Sequence, residues 1–362
     1  MYKRQGAELD GRLDFVLPPE LEADAPPEAR GLRRDDVRLL VSIGVEPPRH
    51  VRFTALPDFL DAGDLLVVNT SATLAAAFDA TTPTGEAVEV HLCTRLPSGL
   101  WLIELREPAE PASRPRFADA TGVTLRSPGS DATVDVLARF RGSQRLWLAV
   151  VRTPGGTLDA FLNGHGRPIR YRHVPQDWPL AAYQTVFARQ PGSAEMPSAA
   201  RAFTPELVAA VTAKGVGVAP IVLHTGVSSL EGHEAPYPER YEVPATTAER
   251  VNEARRRGGR VIAAGTTVVR ALESAVGPDD RVREAKGWTN VFITPERGVR
   301  AVDGLLTGWH EPEASHLLML EAIAGRPALE LAYAAAIEGR YLWHEFGDTH
   351  LILPARPARP AR

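Results

Sequence analysis

The sequence predicts a mixed α/β domain, built from residues 1–70 and 153–362, with a small all-β barrel-like domain inserted at 71–152. Three observations carry that expectation. Beyond about residue 204, buried-type strands alternate with capped helices, the pattern of an α/β core with largely parallel pairing. From about Ala72 to Val151 the periodicity changes to short alternating stretches separated by Pro, Gly and Ser clusters, which signals a small barrel or sandwich. A chain of 362 residues has room for one large domain or two moderate ones.

Gly63-Asp64-Leu65-Leu66-Val67-Val68-Asn69-Thr70 reads as a turn followed by a buried strand. Val88–Leu92, Leu100–Leu105, Ala132–Leu137 and Leu146–Val151 are the strands of the insertion. Past Pro154-Gly155-Gly156 the pattern is mixed. Thr204–Lys214 is a helix, with Thr204 as its N-cap, Pro205 at the first position and Gly215 as its stop. Val216–His224 is a β-branched strand. Thr246–Arg257 is a helix capped by Thr246 or Thr247, stopped by Gly258-Gly259. Arg260–Ala264 is a buried strand running into Gly265-Thr266-Thr267, and Val268–Ser274 continues as a helix. Ser315–Ala324 and Ala328–Ile337 are two more helices. Met1–Gln5 fit no element, and Pro354–Pro360 reads as a low-complexity, disordered extension.

Composition narrows the function classes. Hydrophobic residues make up 44% and charged residues 24%, which is ordinary for a soluble globular protein. No run approaches the roughly 18 apolar residues of a membrane span, and Met1–Asp10 lacks the apolar core of a secretory signal. A cytoplasmic location is the expectation. The single cysteine, Cys93, rules out an internal disulfide framework and a multi-cysteine zinc site, and its alternating surroundings make it a small buried hydrophobe. A net charge of −4 points away from an obligate nucleic-acid binder, although a local patch can sit within an acidic total. Arg167, Arg170, Arg172 and His173 form one such cluster. Arg255, Arg256, Arg257 and Arg260 form another, which reads as a solvated helix end.

Clefts in α/β domains open at the carboxyl ends of strands, so three junctions stand out. Leu223-His224-Thr225-Gly226-Val227-Ser228-Ser229 ends a strand in a polar turn. Gly265-Thr266-Thr267 opens a helix whose free N–H groups suit a carboxylate or phosphate, with Arg270 and Glu273 one turn later. Val302-Asp303-Gly304-Leu305-Leu306-Thr307-Gly308-Trp309-His310 ends in a Trp-His pair. Each also has a plain structural reading: a helix cap for the threonines, an exposed ion pair for Arg270 and Glu273, satisfied hydrogen-bonding rings for His224 and His310. No Walker motif, GxGxxG or HExxH is present.

The order and spacing of short blocks carry a resemblance. Phe15-Val16-Leu17-Pro18 resembles DFDLP, and Gly63–Thr70 resembles GDLLVLNDT. Tyr183-Gln184-Thr185-Val186-Phe187-Ala188 resembles YQTVYA, Leu223–Gly226 LHVG, and Glu239-Arg240-Tyr241-Glu242-Val243 the end of an MHSE-type block. Ala264–Ser274 resembles VGTTSVRTLES, Asn290–Pro295 TDIFI-P, Asp303–Pro312 VD-LITNFHLP, and Phe346-Gly347-Asp348 YGD. The blocks span nearly the whole chain, in order, and resemble the S-adenosylmethionine:tRNA ribosyltransferase-isomerases of queuosine synthesis.

That resemblance implies transfer and isomerisation of the ribosyl unit of S-adenosylmethionine onto an aminomethyl-deazaguanine in tRNA, with adenine and methionine released. It implies no metal, and no cofactor beyond S-adenosylmethionine as co-substrate. Glu239, His224 and His310 are then the candidate acid/base residues, and Gly265, Thr266, Thr267, Arg270, Glu273, Glu195, Ser198, Arg201 and Asp303 the candidate substrate-binding ones. Departures in three blocks stand beside it. The AAPTAGLHFT block falls on Glu195–Thr204, placing Ala202 at its histidine, Arg201 at its leucine and Glu195 at an alanine. Tyr237 stands at the MHSE histidine, and NFHLP has become Gly308-Trp309-His310-Glu311-Pro312. An altered, small-molecule acceptor, or a nucleoside-binding homologue without turnover, are the alternatives these departures raise.

Overall fold

Four strands lie parallel and adjacent at the centre of a nine-stranded sheet, in the order Gly217–Leu223, Leu65–Asn69, Val261–Ala264 and Gly304–Gly308. The computed structural model describes residues 13–140, 143–227, 237–312 and 314–355. Met1–Gln5, Ser228-Ser229 and the tail beyond Ala355 lie outside the described residues.

The flanks of the sheet correct the expectation of largely parallel pairing. Glu239–Val243 and Ala285–Thr289 add antiparallel beyond Gly217–Leu223. On the other side Thr349–Leu353 runs antiparallel to Gly304–Gly308 but parallel to Arg38–Ile43, which pairs antiparallel with Arg49–Arg52. Antiparallel neighbours need no crossover helix, so a strand from the far end of the chain can slot between two others.

The helices are α1 (Leu158–His165), α2 (Pro205–Ala213), α3 (Ala245–Arg256), α4 (Thr266–Ser274), α5 (Ser315–Ala324) and α6 (Arg326–Glu338). Both faces of the central sheet are covered, which is why its strands read as unbroken apolar runs. Leu65, Val67, Ile221, Ala263 and Leu305 pack towards α3–α6. Leu66, Val68, Ile262 and Leu306 pack on the other face against Phe53, Phe203, Leu207 and Val211. The Thr204 hydroxyl accepts from the Leu207 N–H at 3.2 Å, the predicted cap. The predicted cap on α3 is corrected: that helix follows Pro244, and Thr247 donates to the Pro220 carbonyl at 2.6 Å on a neighbouring strand instead.

Residues 77–152 supply the second sheet. Leu146–Arg152 pairs with both Thr133–Arg139 and Trp101–Glu107, which closes a 6-strand antiparallel barrel. Phe78, Val90, Leu92, Ile103, Leu105, Val134 and Trp147 fill it, and Cys93 is buried among them. Phe161, Leu162 and Ile169 join the same core, so its packing reaches past Arg152. The barrel also encloses charge: Arg106 donates to Glu104 at 3.0 Å and Arg145 forms an ion pair with it at 3.1 Å, all three at most 4% exposed.

Candidate active site

Because the central strands are parallel, their carboxyl ends share one edge of the sheet, and polar side chains collect there. Asn69 ends its strand fully buried. Its Oδ1 accepts from the N–H groups of Ser71 and Leu223, both at 3.0 Å. Its Nδ2 donates to the Leu223 carbonyl at 2.8 Å and to Thr267 Oγ1 at 3.3 Å. One side chain thus ties two strand ends to the start of α4. Ser71 Oγ is hydrogen-bonded to His224 Nδ1 at 2.8 Å and to Ser193 Oγ at 2.6 Å. A Cβ at Gly192 would come within 2.4 Å of that same ring nitrogen, so glycine is what gives the imidazole its place. Burial, with Arg240 adding, pushes His224 down to about 4, which leaves a neutral ring able to take a proton at pH 7.

Helix α4 begins at this edge. Gly265 adopts φ +108, where only glycine is at ease, and its N–H donates to the Leu306 carbonyl at 2.8 Å. No described side chain caps α4, which leaves its first N–H groups to an anion. Thr266 and Thr267 are half-buried beside them. Ser198 opens a short turn, Ser198–Ala200, whose Ala199 lies in contact range of Gly265 and which packs on Gly304–Gly308.

One turn into α4, Arg270 Nη1 donates to Glu239 Oε2, while Glu239 Oε1 accepts from the Gly226 N–H at 2.8 Å. Arg270 also donates to the carbonyls of Val291 at 3.2 Å and Thr289 at 3.4 Å. Both partners of this pair are at most 8% exposed. His310 is hydrogen-bonded through Nε2 to Thr307 Oγ1 at 3.0 Å and stacks on His316 at 4.7 Å. Burial, with His316, His344 and His350 adding, holds it well below the usual histidine range. His316 is likewise pushed down to about 4 by burial, with Arg270 adding.

The structure does not bring every candidate to this edge. Glu273 accepts from the N–H groups of Arg300 at 2.5 Å and Ala301 at 2.7 Å, and from Arg297 at 3.0 Å, which binds it to the loop behind α4. Asp303 precedes its strand rather than ending it, and accepts from the Val261 N–H at 2.8 Å at the opposite edge. Glu195 and Arg201 do not pair with each other. Tyr171 donates to Glu195, whereas Arg201 binds Glu28 and the Ala182 carbonyl, both at 2.9 Å, beneath the Phe346 ring. The basic cluster is largely spent within the chain, Arg167 on Asp79 and Glu89, Arg170 on Asp177, His173 on Glu345. Sequence reasoning missed Asn69, Ser71, Ser193 and His316. Only Asn69 carried a signal, as the polar end of a buried strand.

Neutral imidazoles, clustered hydroxyls, a buried carboxylate-guanidinium pair and an uncapped helix start meet at the strand edge where α/β enzymes bind their ligands. The particular family is plain from comparison. Residues 11–352 match the family described as queuosine biosynthesis protein, and the chain belongs to it. It is 36% identical over 95% of its length to an S-adenosylmethionine:tRNA ribosyltransferase-isomerase of Gluconacetobacter diazotrophicus, covering 96% of that protein. The protein of that name from Thermotoga maritima is 32% identical over 94% of this chain and 98% of its own. The crystal structure of S-adenosylmethionine tRNA ribosyltransferase from Thermotoga maritima superposes with a TM-score of 0.52 at 30% identity, over 94% of this chain and 99% of that one. Among the described residues no helix is long and apolar enough to cross a membrane.

Proposed function

We propose that this protein transfers and isomerises the ribosyl unit of S-adenosylmethionine onto 7-aminomethyl-7-deazaguanine in tRNA. The product is epoxyqueuosine, and adenine and methionine leave. The observation that carries the reading is the Glu239–Arg270 pair beside the free helix start of Gly265-Thr266-Thr267, assembled from blocks that follow the family's order. The sulfonium acidifies the protons next to it, so a positioned base starts the elimination that opens the ribose. His224 and Glu239 suit that task, the first as a neutral ring and the second as a carboxylate held by one amide and one arginine. His310, a neutral ring hydrogen-bonded to Thr307, is the further candidate for proton transfer. The α4 N-terminus suits the methionine carboxylate, with Ser198 opposite. A tRNA substrate places the work in the cytoplasm, and the barrel, with every strand drawn from 77–152, is proposed as an inserted domain of 71–152.

The altered acceptor loses its motivation, because Arg201 and Glu195 already have partners within the chain. The test is adenine release from S-adenosylmethionine, read by mass spectrometry, with and without tRNA bearing the aminomethyl base. Release that requires this tRNA is expected. Release with a free deazaguanine alone would move the acceptor to a small molecule, and none with either would leave a binding protein.

A further inference from the structure

Away from the strand-edge site, three segments distant in sequence converge on one histidine. Glu22 follows the turn Pro19–Leu21, which is stitched to the 340s by Trp343 N–H to the Leu21 carbonyl at 2.7 Å. Glu311 lies in the loop just past His310, where the family's block has leucine. His344 adopts φ +70, and its ring stacks on His173 at 3.9 Å. Its side chain is 10% exposed, and Nε2 is buried without a hydrogen-bond partner. That nitrogen lies 3.5 Å from Glu22 Oε1 and 3.9 Å from Glu311 Oε1, and one donor atom from each residue falls within 4.8 Å of the others.

From this geometry we infer that Glu22, Glu311 and His344 bind one divalent cation of the zinc type. A proton on Nε2 would be too far from either carboxylate for a good hydrogen bond, and a lone pair there faces negative charge. A cation between the three donors resolves both conflicts. Four-coordinate zinc, bonded at about 2.0–2.1 Å, spaces its ligand atoms about 3.3 Å apart, so small inward movements complete the site and leave a fourth position for water. One imidazole with two carboxylates suits zinc better than magnesium or calcium, which prefer oxygen throughout. Glu22 also lines an open cleft of about 380 Å³ with Glu20, Asp24, Arg172 and His173.

The ion would fasten the N-terminal strap to the loop carrying His310 and to the loop carrying Phe346-Gly347-Asp348. Its role is positional, and it departs from the metal-free expectation that the family resemblance brings.

The experiment uses full-length protein stripped with a chelator and dialysed. Cobalt(II) is titrated in as a visible-absorbing stand-in, and zinc is then added in competition. One cobalt per chain, displaced by zinc, with a raised melting temperature, is expected. Glu311→Leu removes an exposed ligand, and His344→Asn keeps a residue tolerant of positive φ; each should weaken binding on the order of 100-fold with the circular dichroism unchanged. Absence of saturable binding up to about 100 µM ion overturns the site. So does binding that both variants retain.

Discussion

The two edges of the central sheet treat charge in opposite ways. At the edge where strands begin, carboxylates are spent on backbone amides, and Asp64 and Glu273 on an arginine as well. Asp64 takes the Arg260 N–H at 2.9 Å and its guanidinium, Asp303 takes Val261, and Glu273 takes two backbone N–H groups and Arg297. At the edge where strands end, Glu239 is held from two sides only, the imidazoles are neutral, and the first turn of α4 is uncapped. A saturated carboxylate anchors loops, whereas one held by a single amide and a single arginine can still exchange partners with a substrate. Burial alone does not separate them, since Glu239 and Glu273 are 7% and 3% exposed.

The largest test of that contrast is Glu239→Gln. It should lose about 10²–10⁴-fold in the rate of adenine release, the usual worth of a general base, while the donor still binds. Full activity would remove Glu239 from the chemistry. Arg270→Ala should come next, weakening S-adenosylmethionine by about 1.5–3 kcal/mol through loss of a charge-assisted bond, or roughly 10–150-fold by calorimetry. An unchanged affinity would reduce Arg270 to a prop for Glu239. Glu273→Gln should do the reverse. Its cost is on the order of 1–3 kcal/mol of stability in urea unfolding, with donor affinity unchanged, because the Arg297 contact and one acceptor oxygen are lost.

How far the sequence could be read follows from where each signal lives. Helix α2 was legible because its cap is local, Thr204 to Leu207. Helix α3 was misassigned at its start because Thr247 answers to Pro220, 27 residues away. Arg270 and Glu273 share a helix face, yet three residues advance about 4.5 Å along the axis. That distance carries Glu273 from the site to the loop of Arg297–Ala301. Asp303 fails for a related reason: a polar residue beside an apolar run reads alike whether it precedes or ends the strand. The placement of Thr349–Leu353 between Gly304–Gly308 and Arg38–Ile43 joins segments about 300 residues apart, which no local pattern encodes. Asn69, Ser71 and Ser193 acquire meaning only once strands from distant parts of the chain lie side by side.

The smallest expected effect concerns the neutral imidazoles. His224 is pushed from its ordinary 6.5 to about 4, His316 to about 4 and His350 to about 3, in each case by burial first. A histidine depressed on folding takes up its proton more readily in the unfolded chain. The stability it allows is therefore full above about 6.5 and falls as the pH drops from there towards about 4. Urea midpoints measured between pH 7.5 and pH 4.5, within the range these groups span, should decline on acidification. His224→Gln keeps an acceptor for Ser71 Oγ and cannot titrate, so it should differ little from the parent at neutral pH and decline less steeply below it. If the parent and variant midpoints fall in parallel, His224 takes up its proton at the same pH folded and unfolded, and burial does not depress it. If instead the parent falls less steeply than the variant, the folded ring is charged at neutral pH and cannot serve as the base, and proton removal rests with Glu239 alone.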